Sequence, residues 1–494
     1  MLTHLPILQV ILPLVAAPSC MILQRSRLSW LFTVLVSLAA FVVSALLLQQ
    51  VMAEGVIRYS LGGWDAPWGI EYRIDALNAW VLFIVTAVST AVIAAARTSI
   101  EAELGASRQT VFYTLYLLCF AGLLGIVATG DVFNVFVFLE ISSLSTYALI
   151  AMGRDRRALW SAFQYLVLGT IGATFILIGI GFLYMMTGTL NMLDLAERLP
   201  AVESSTAVLA AFAFILVGIC LKLALFPLHL WLPNAYSNAP SIVTAFLAAT
   251  ATKVALYLLV RFTVTVFGID FSLSALPLQS LFILLGLAGV FVGSAVAIYQ
   301  SNIKRMLAYS SVAQIGYMII GIGISTVVGL QATLLHLFNH ALMKAALFLA
   351  LAGVAYRIGG CSLEQIRGLG RSMPWTMGAI AIGGASLVGM PLTAGFISKW
   401  YLIAASIDSG FWPLALLIVA GSLLSAVYVW RLVEAGYLRE PQSGQLAAEP
   451  GEAPLGLLIP TWILVLANLY FGVETSLPVS VTEMAATYLL GGAP

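Results

Sequence analysis

Apolar runs of membrane-crossing length recur along the whole chain, and no other feature constrains its fold as tightly. A membrane helix needs about 20 mostly apolar residues. By that measure the sequence predicts about fourteen spans, near residues 5–23, 28–50, 76–96, 110–128, 132–152, 160–186, 206–227, 239–264, 277–299, 306–325, 330–356, 376–405, 411–433 and 455–473. Charged residues make up only 9% of the chain, against about 25% in soluble globular proteins. A soluble fold is excluded. The expected class is an all-α polytopic membrane protein, with residues 1–494 forming a single transmembrane domain. The opening, MLTHLPILQVILPLV, lacks the basic stretch that precedes a cleaved signal, so it reads as the first span. Segment 51–75, rich in Pro, Gly and Trp, is the longest expected outer connection, and polar segment 434–454 is an expected inner loop.

Basic residues orient the spans. With the N-terminus outside, the inner connections hold Arg25, Arg27, Arg97, Arg108, Arg154, Arg156, Arg157, Lys304, Arg305, Arg357, Arg367, Arg371, Arg431 and Arg439. The outer side holds only Arg58, Arg73, Arg198 and Arg261. Fourteen against four is the asymmetry of the positive-inside rule. An odd number of spans would mix the two sets, so both termini are expected outside. A net charge of +1 points to no nucleic acid or acidic partner. Cys20, Cys119, Cys220 and Cys361 lie too far apart in sequence to suggest a disulfide framework or a zinc or iron–sulfur site.

Two spans contain helix breakers. Span 7 runs into KLALFPLHLWLPNAYSNAP, with Pro227, Pro233 and Pro240, and span 12 holds SLVGMPLTAGFISKW, with Gly389, Pro391 and Gly395. Proline removes a backbone donor, and carbonyls freed deep in lipid are tolerated only where protein surrounds them. Interruptions five spans apart fit a two-repeat transporter whose pathway lies at the broken helices. Two helices merely kinked for packing are the plainer alternative.

Four of the five lysines, Lys222, Lys253, Lys344 and Lys399, fall inside predicted spans, while the connections are basic almost entirely through arginine. Arginine keeps its proton under nearly all conditions, whereas a lysine in apolar surroundings can release one. Glu140 is the one acid near the middle of a span. A charge at mid-membrane is costly and reads as functional, with a partner nearby. A static Glu–Lys pair would explain one lysine and leave three. These groups lie near one depth on different helices, which predicts a path running sideways through the membrane plane, with water access near the breaks.

In LLHLFNHALMKAALF, His336, His340 and Lys344 stand at i, i+4 and i+8, on one helical face. Two such histidines can bind zinc, but a third ligand is needed, no cysteine or acid is close in sequence, and Lys344 disfavours a divalent ion. No metal is therefore expected. A proton relay suits histidine better, with a packing role for one of the two as the alternative. His229, just past the break in span 7, is a candidate for proton entry or else an interfacial residue. No lysine follows a glycine as a nucleotide loop would require, so no cofactor and no covalent chemistry are expected of this chain. The glycines of IGIGF (178–182) and GIGIS (321–325) read as helix-packing positions.

These residues sit in longer motifs: FLE with Glu140, LKLALFPLHLWLPNAY with Lys222, TATKVALYLLVR with Lys253, KRMLAYSSVAQIGYM at 304–318, HLFNHALMKAALF with Lys344, and GMPLTAGFISKW with Lys399. Through them the chain resembles the antiporter-like proton-translocating subunits shared by respiratory complex I, membrane-bound hydrogenases and Mrp-type cation/proton antiporters. GDVFNVFVFLE, with Asp131 and Asn134, looks most like the D-type subunit of Mrp antiporters and its hydrogenase relatives. Lys399 argues against the complex I type that has glutamate there. The resemblance implies two inverted five-helix repeats, spans 4–8 (110–265) and 9–13 (277–433), with helices 7 and 12 broken. It implies a Glu140–Lys222 pair, Lys253 as a linking group, Lys344 as the central one and Lys399 as the terminal one. The chain ends soon after span 14, and by the same likeness the long lateral helix of the largest complex I homologue is not expected. The implied function is a transporter subunit, not an enzyme: the proton-moving part of a multi-subunit Na⁺/H⁺ antiporter, beside other membrane subunits in a bacterial inner membrane. A redox-driven complex using the same module, and a non-conducting scaffold, are the alternatives.

Overall fold

The structure, a computed structural model, describes residues 2–23, 25–441 and 451–491. It is an all-α polytopic membrane protein. Among the described residues, thirteen helices are long and apolar enough to cross a bilayer, namely Leu5–Leu23, Ser26–Glu54, Ala76–Glu103, Ala106–Ala128, Val132–Ala151, Arg156–Thr187, Thr206–Leu223, Ser241–Val266, Leu278–Tyr299, Ile303–Ile324, Val327–Ile358, Trp412–Leu438 and Leu455–Val473. They are spans 1 to 11, 13 and 14 of the sequence reading. Span 12 is split into Pro374–Val388 and Ala394–Asp408, halves too short to cross alone. Span 7 is followed, after its break, by a short second half, Trp231–Asn238.

Side-chain caps fix where many spans begin. Asp75, Asp131, Asp155, Ser205, Asn302 and Thr326 each accept a backbone N–H in the first turn of spans 3, 5, 6, 7, 10 and 11. Several helices outlast the hydrocarbon because nothing breaks them there. Span 6 has 32 residues, about 48 Å against a core of about 30 Å. Arg97, Arg156 and Arg157, expected in loops, therefore sit on overhanging helical turns.

Contacts between connections agree with the alternation of sides. On the side assigned outside, residues 51–75 contain a hairpin, strand β1 (Ile57–Ser60) antiparallel to β2 (Glu71–Ile74), with Arg58 opposite Arg73. Tyr72 of β2 bridges to Thr129, Asp131 bridges to Asn191, and the Asn191 amide donates to Glu71 (2.8 Å). A terminal helix absent from the sequence reading, Ser476–Leu490, joins this face through Arg73 and Tyr488. On the inner side Glu103 accepts from the Ser241 backbone (3.0 Å), Lys304 donates to the Ser241 hydroxyl (3.0 Å), and Arg357 donates to the Glu452 carbonyl (2.7 Å). Of the expected inner loop, Glu434–Leu438 continues span 13 as a π-helix, while 442–450 lie outside the described residues.

Spans 8 and 10 form the centre: 94% of their apolar stretch is buried, against 39% for the peripheral spans 2, 6, 9 and 13. Water does not drive helices together inside lipid, so close approach relies on small residues. A methyl group on Gly179 would stand 2.8 Å from the Ala211 carbonyl, and one on Gly321 would stand 2.7 Å from that of Gly329. Gly181 faces open space. The packing role expected of these glycines holds for Gly179 and Gly321 but not for Gly181.

Candidate proton pathway

Span 5 carries Glu140, Ser143 and Tyr147 at i, i+3 and i+7, one face of a helix. Lys222 reaches that face from the end of span 7, where Ala224 takes a left-handed conformation (φ 59°) and stops the helix. Its ammonium donates to Ser143 Oγ (2.7 Å) and to the Tyr147 hydroxyl (3.4 Å), and lies 5.8 Å from the Tyr147 ring centre. It makes no direct salt bridge with Glu140. All five ion pairs among the described residues use arginine. The Oε1 of Glu140 is buried without a hydrogen-bond partner. Serine and tyrosine thus stand beside the lysine where the resemblance implied a pair.

Lys399 repeats this arrangement at the second break. It sits on the second half of span 12, and its ammonium donates to the carbonyls of Leu387 (2.8 Å) and Val388 (3.0 Å), which end the first half. Gly389 (φ 88°) and Leu392 (φ 69°) turn the backbone between the halves. A Cβ at Gly389 would stand 2.9 Å from Lys399 Cδ, so glycine is needed for both conformation and space. Tyr317 of span 10 holds its ring centre 4.8 Å from the ammonium. Lys222 stands in the last turn of the first half of span 7, and the Lys399 ammonium reaches the C-terminal carbonyls of the first half of span 12, helix ends whose unpaired carbonyls favour a cation.

Between them are the most deeply buried groups. Lys253, 1% exposed, donates to the Ala248 carbonyl and to Thr252 Oγ1 (3.4 Å). Lys344, fully buried, donates to the Leu307 carbonyl (2.7 Å) and to Ser310 Oγ. His336 is held at both nitrogens, Nδ1 by Ser398 Oγ (2.8 Å) and Nε2 by Gln314 Oε1 (2.9 Å). His340 stacks beside it with ring centres 6.1 Å apart, and neither of its own nitrogens has a partner. A cavity of about 40 Å³ lies between Lys222, Ser142, Ser143 and Thr146 on one side and Ala251, Val254 and Ala255 of span 8 on the other. That is room for water, next to the turn that carries Lys253. His229 is buried apart from the row, stacked on Phe226 (5.3 Å) and edge-on to Tyr309 (6.2 Å), with Nδ1 unpaired.

The sequence reading missed the hydroxyl and amide groups that line this row: Ser143, Tyr147, Ser310, Gln314, Tyr317 and Ser398. Their signal was present, since Ser310, Gln314 and Tyr317 recur at i, i+4 and i+7. It also missed the partner of Arg261. At the end of span 8, on the side assigned outside, Arg261 is 3% exposed, with Nη1 2.9 Å from Asp75 Oδ2 and Nη2 donating to Asp75 Oδ1 (3.0 Å) and Asn78 Oδ1 (2.8 Å). The carboxylate of Asp75 draws it inward.

Residues 129–425 match the family described as NADH:quinone oxidoreductase/Mrp antiporter, TM. The chain belongs to that family. It is 41% identical over 485 residues to the N subunit of the NADH-quinone oxidoreductase of Desulforudis audaxviator, an alignment covering 96% of each chain. It is 33% identical over 385 residues to the D-type subunit of the Na⁺/H⁺ antiporter of Alkalihalophilus pseudofirmus, covering 78% of this chain and 76% of that one. Among solved structures, a chain of the Mrp complex from Dietzia sp. superposes with a TM-score of 0.89 at 26% identity, covering 99% of this chain and 97% of that one.

Proposed function

We propose that this chain is the proton-translocating subunit of a multi-subunit Na⁺/H⁺ antiporter of the Mrp type, moving protons laterally through Glu140, Lys222, Lys253, Lys344 and Lys399. One observation carries the reading. No lysine among the described residues makes a salt bridge, and all four intramembrane ones bond only to neutral carbonyl or hydroxyl oxygens. A permanent charge buried this way is costly without a counter-charge. The arrangement suits groups that are charged for only part of a cycle. His340, buried without partners one helical turn before Lys344, forgoes about 1–3 kcal/mol of hydrogen bonding, a cost that water or a passing proton would offset. His336 assists from its hydrogen-bonded site, and His229 serves the entry at the first break.

The two-repeat organisation (110–265 and 277–433) is part of the proposal. It is supported by the parallel between a span 7 lysine against a span 5 tyrosine and a span 12 lysine against a span 10 tyrosine. Partner membrane subunits belong to it as well. Phe133, Val137 and Leu144 leave span 5 exposed on the stripe that includes Glu140, and a mid-membrane carboxylate there calls for protein cover. The setting is a bacterial inner membrane. The test is Glu140→Ala or Lys222→Ala in the assembled complex, measured as Na⁺-dependent proton movement in vesicles. The expected result is a fall of roughly 100-fold with normal assembly; undiminished movement with normal assembly would remove the proposal.

The similarity to the N subunit of a quinone oxidoreductase favours a second reading, the same relay driven by redox chemistry. The composition of the purified complex separates the two. Catalytic iron–sulfur subunits would favour the redox reading, and small membrane subunits alone would favour the antiporter.

A further inference from the structure

A groove of about 410 Å³ opens on the side of the bundle between spans 6, 7 and 10, at the end assigned to the inner face. Its walls differ in character. Val167 and Leu230 form an apolar part, and Leu230 is 66% exposed. Arg305, Gln164, Asn234 and Tyr309 form a polar part. Gln164 accepts from the Asn234 amide (2.9 Å), which leaves the Gln164 N–H groups to face the groove. Arg305 is exposed and makes no salt bridge or side-chain hydrogen bond with the described residues.

The depth of these groups narrows the occupant. Arg305 is three residues past the cap of span 10, and Gln164 is eight residues past the start of span 6. At 1.5 Å per residue they stand about 4 Å and about 12 Å from their helix ends. Because span 6 overhangs the hydrocarbon, that range covers the headgroup and glycerol layer of the inner leaflet. A free phosphate would meet the polar part only and leave the apolar wall bare. A lipid without phosphate would leave Arg305 without a counter-charge, and a zwitterionic lipid would bring its own cation beside Arg305 and weaken the pairing.

We propose that this groove binds an anionic phospholipid of the inner leaflet. Its phosphate pairs with Arg305, its glycerol esters accept from Gln164, and its acyl chain covers Val167 and Leu230. A basic pocket between membrane helices on the inner side has the charge and shape for such a headgroup. The proposal does not rest on the transport reading; Tyr309 lines the groove and lies edge-on to His229.

The test uses the purified complex containing the full chain, incubated with dioleoylphosphatidylglycerol or dioleoylphosphatidylcholine, with retained lipid counted by native mass spectrometry. Wild type is expected to retain the glycerol lipid over the choline lipid. Arg305→Gln is expected to lower that retention about five-fold, Arg305→Lys to keep most of it, and neither to change choline-lipid retention. Because Arg305 is exposed, neither change threatens folding. Equal retention of both lipids, or of the glycerol lipid by wild type and Arg305→Gln, would overturn the proposal. A photoreactive residue at position 230 adds a second arm. Capture of lipid supports the site, and capture of a neighbouring subunit overturns it.

Discussion

Replacing Lys344 with arginine is expected to stop proton movement as thoroughly as replacing it with alanine. Arginine keeps the positive charge and the capacity to donate to the Leu307 carbonyl and Ser310 hydroxyl, but it does not release a proton in a protein. If Lys344 only had to be positive, Lys344→Arg would retain most activity. If it must lose and regain a proton, both variants fall by roughly 100-fold. The measurement is proton uptake by vesicles bearing the complex, set against the amount of complex assembled. Arginine is larger, and the site is fully buried, so assembly of Lys344→Arg is the control that separates misfolding from a blocked relay. Near-normal uptake in an assembled Lys344→Arg complex would remove Lys344 from the relay. The same result would turn attention to His340, one helical turn before Lys344, whose buried nitrogens have no hydrogen-bond partner.

The spans and their order were legible because a bilayer leaves the chain few options. Every backbone group in lipid must be satisfied within a helix, so each crossing must spell out a long apolar run. The intramembrane lysines were legible for the same reason, since a charge in such a run is costly enough to stand out. What surrounds those lysines was harder to read. Ser143 and Ser310 are ordinary residues in an apolar helix until the fold brings a lysine to them from span 7 or span 11. The expected Glu140–Lys222 pair shows the limit well. Residue types predict attraction, but the direction in which Lys222 reaches, to Ser143 and Tyr147, is decided only in the assembled fold. The outer hairpin escaped notice because its strands have four residues each, too few for an alternating pattern. The helix Ser476–Leu490 escaped because its 15 residues fall short of a membrane-crossing length.

The pairing of Arg261 with Asp75 was hidden because the two lie far apart in sequence, and it leads to the other large effect expected. Asp75 has two tasks. It caps span 3 by accepting from the backbones of Leu77 (2.9 Å) and Asn78 (3.1 Å), and it pairs with Arg261. Asparagine caps a helix about as well as aspartate, so Asp75→Asn removes the charge and keeps the cap. It leaves the Arg261 guanidinium buried without a counter-charge, which costs about 3–5 kcal/mol. Arg261→Met is expected to cost a similar amount by stranding the carboxylate. The double variant is expected to lose clearly less than the sum, because no buried charge then lacks a partner. Thermal unfolding of the purified complex measures all three, and an additive double variant would mean that the two residues do not act as a pair. Acid provides an independent check. Burial pushes the Asp75 carboxyl up, but the Arg261 charge and hydrogen bonds pull it down further, so that it lies below its ordinary value. A lowered carboxyl stabilises the fold above its unfolded pKa, and that contribution is lost as pH falls through the folded value. Wild type should therefore lose the margin over Asp75→Asn only below about pH 4, and Asp75→Asn should lack that part of the acid dependence. At neutral pH the outer ends of spans 3 and 8 are held together by this pair. Span 8 is the helix that carries Lys253, so the pair also fixes the position of one lysine in the proposed relay.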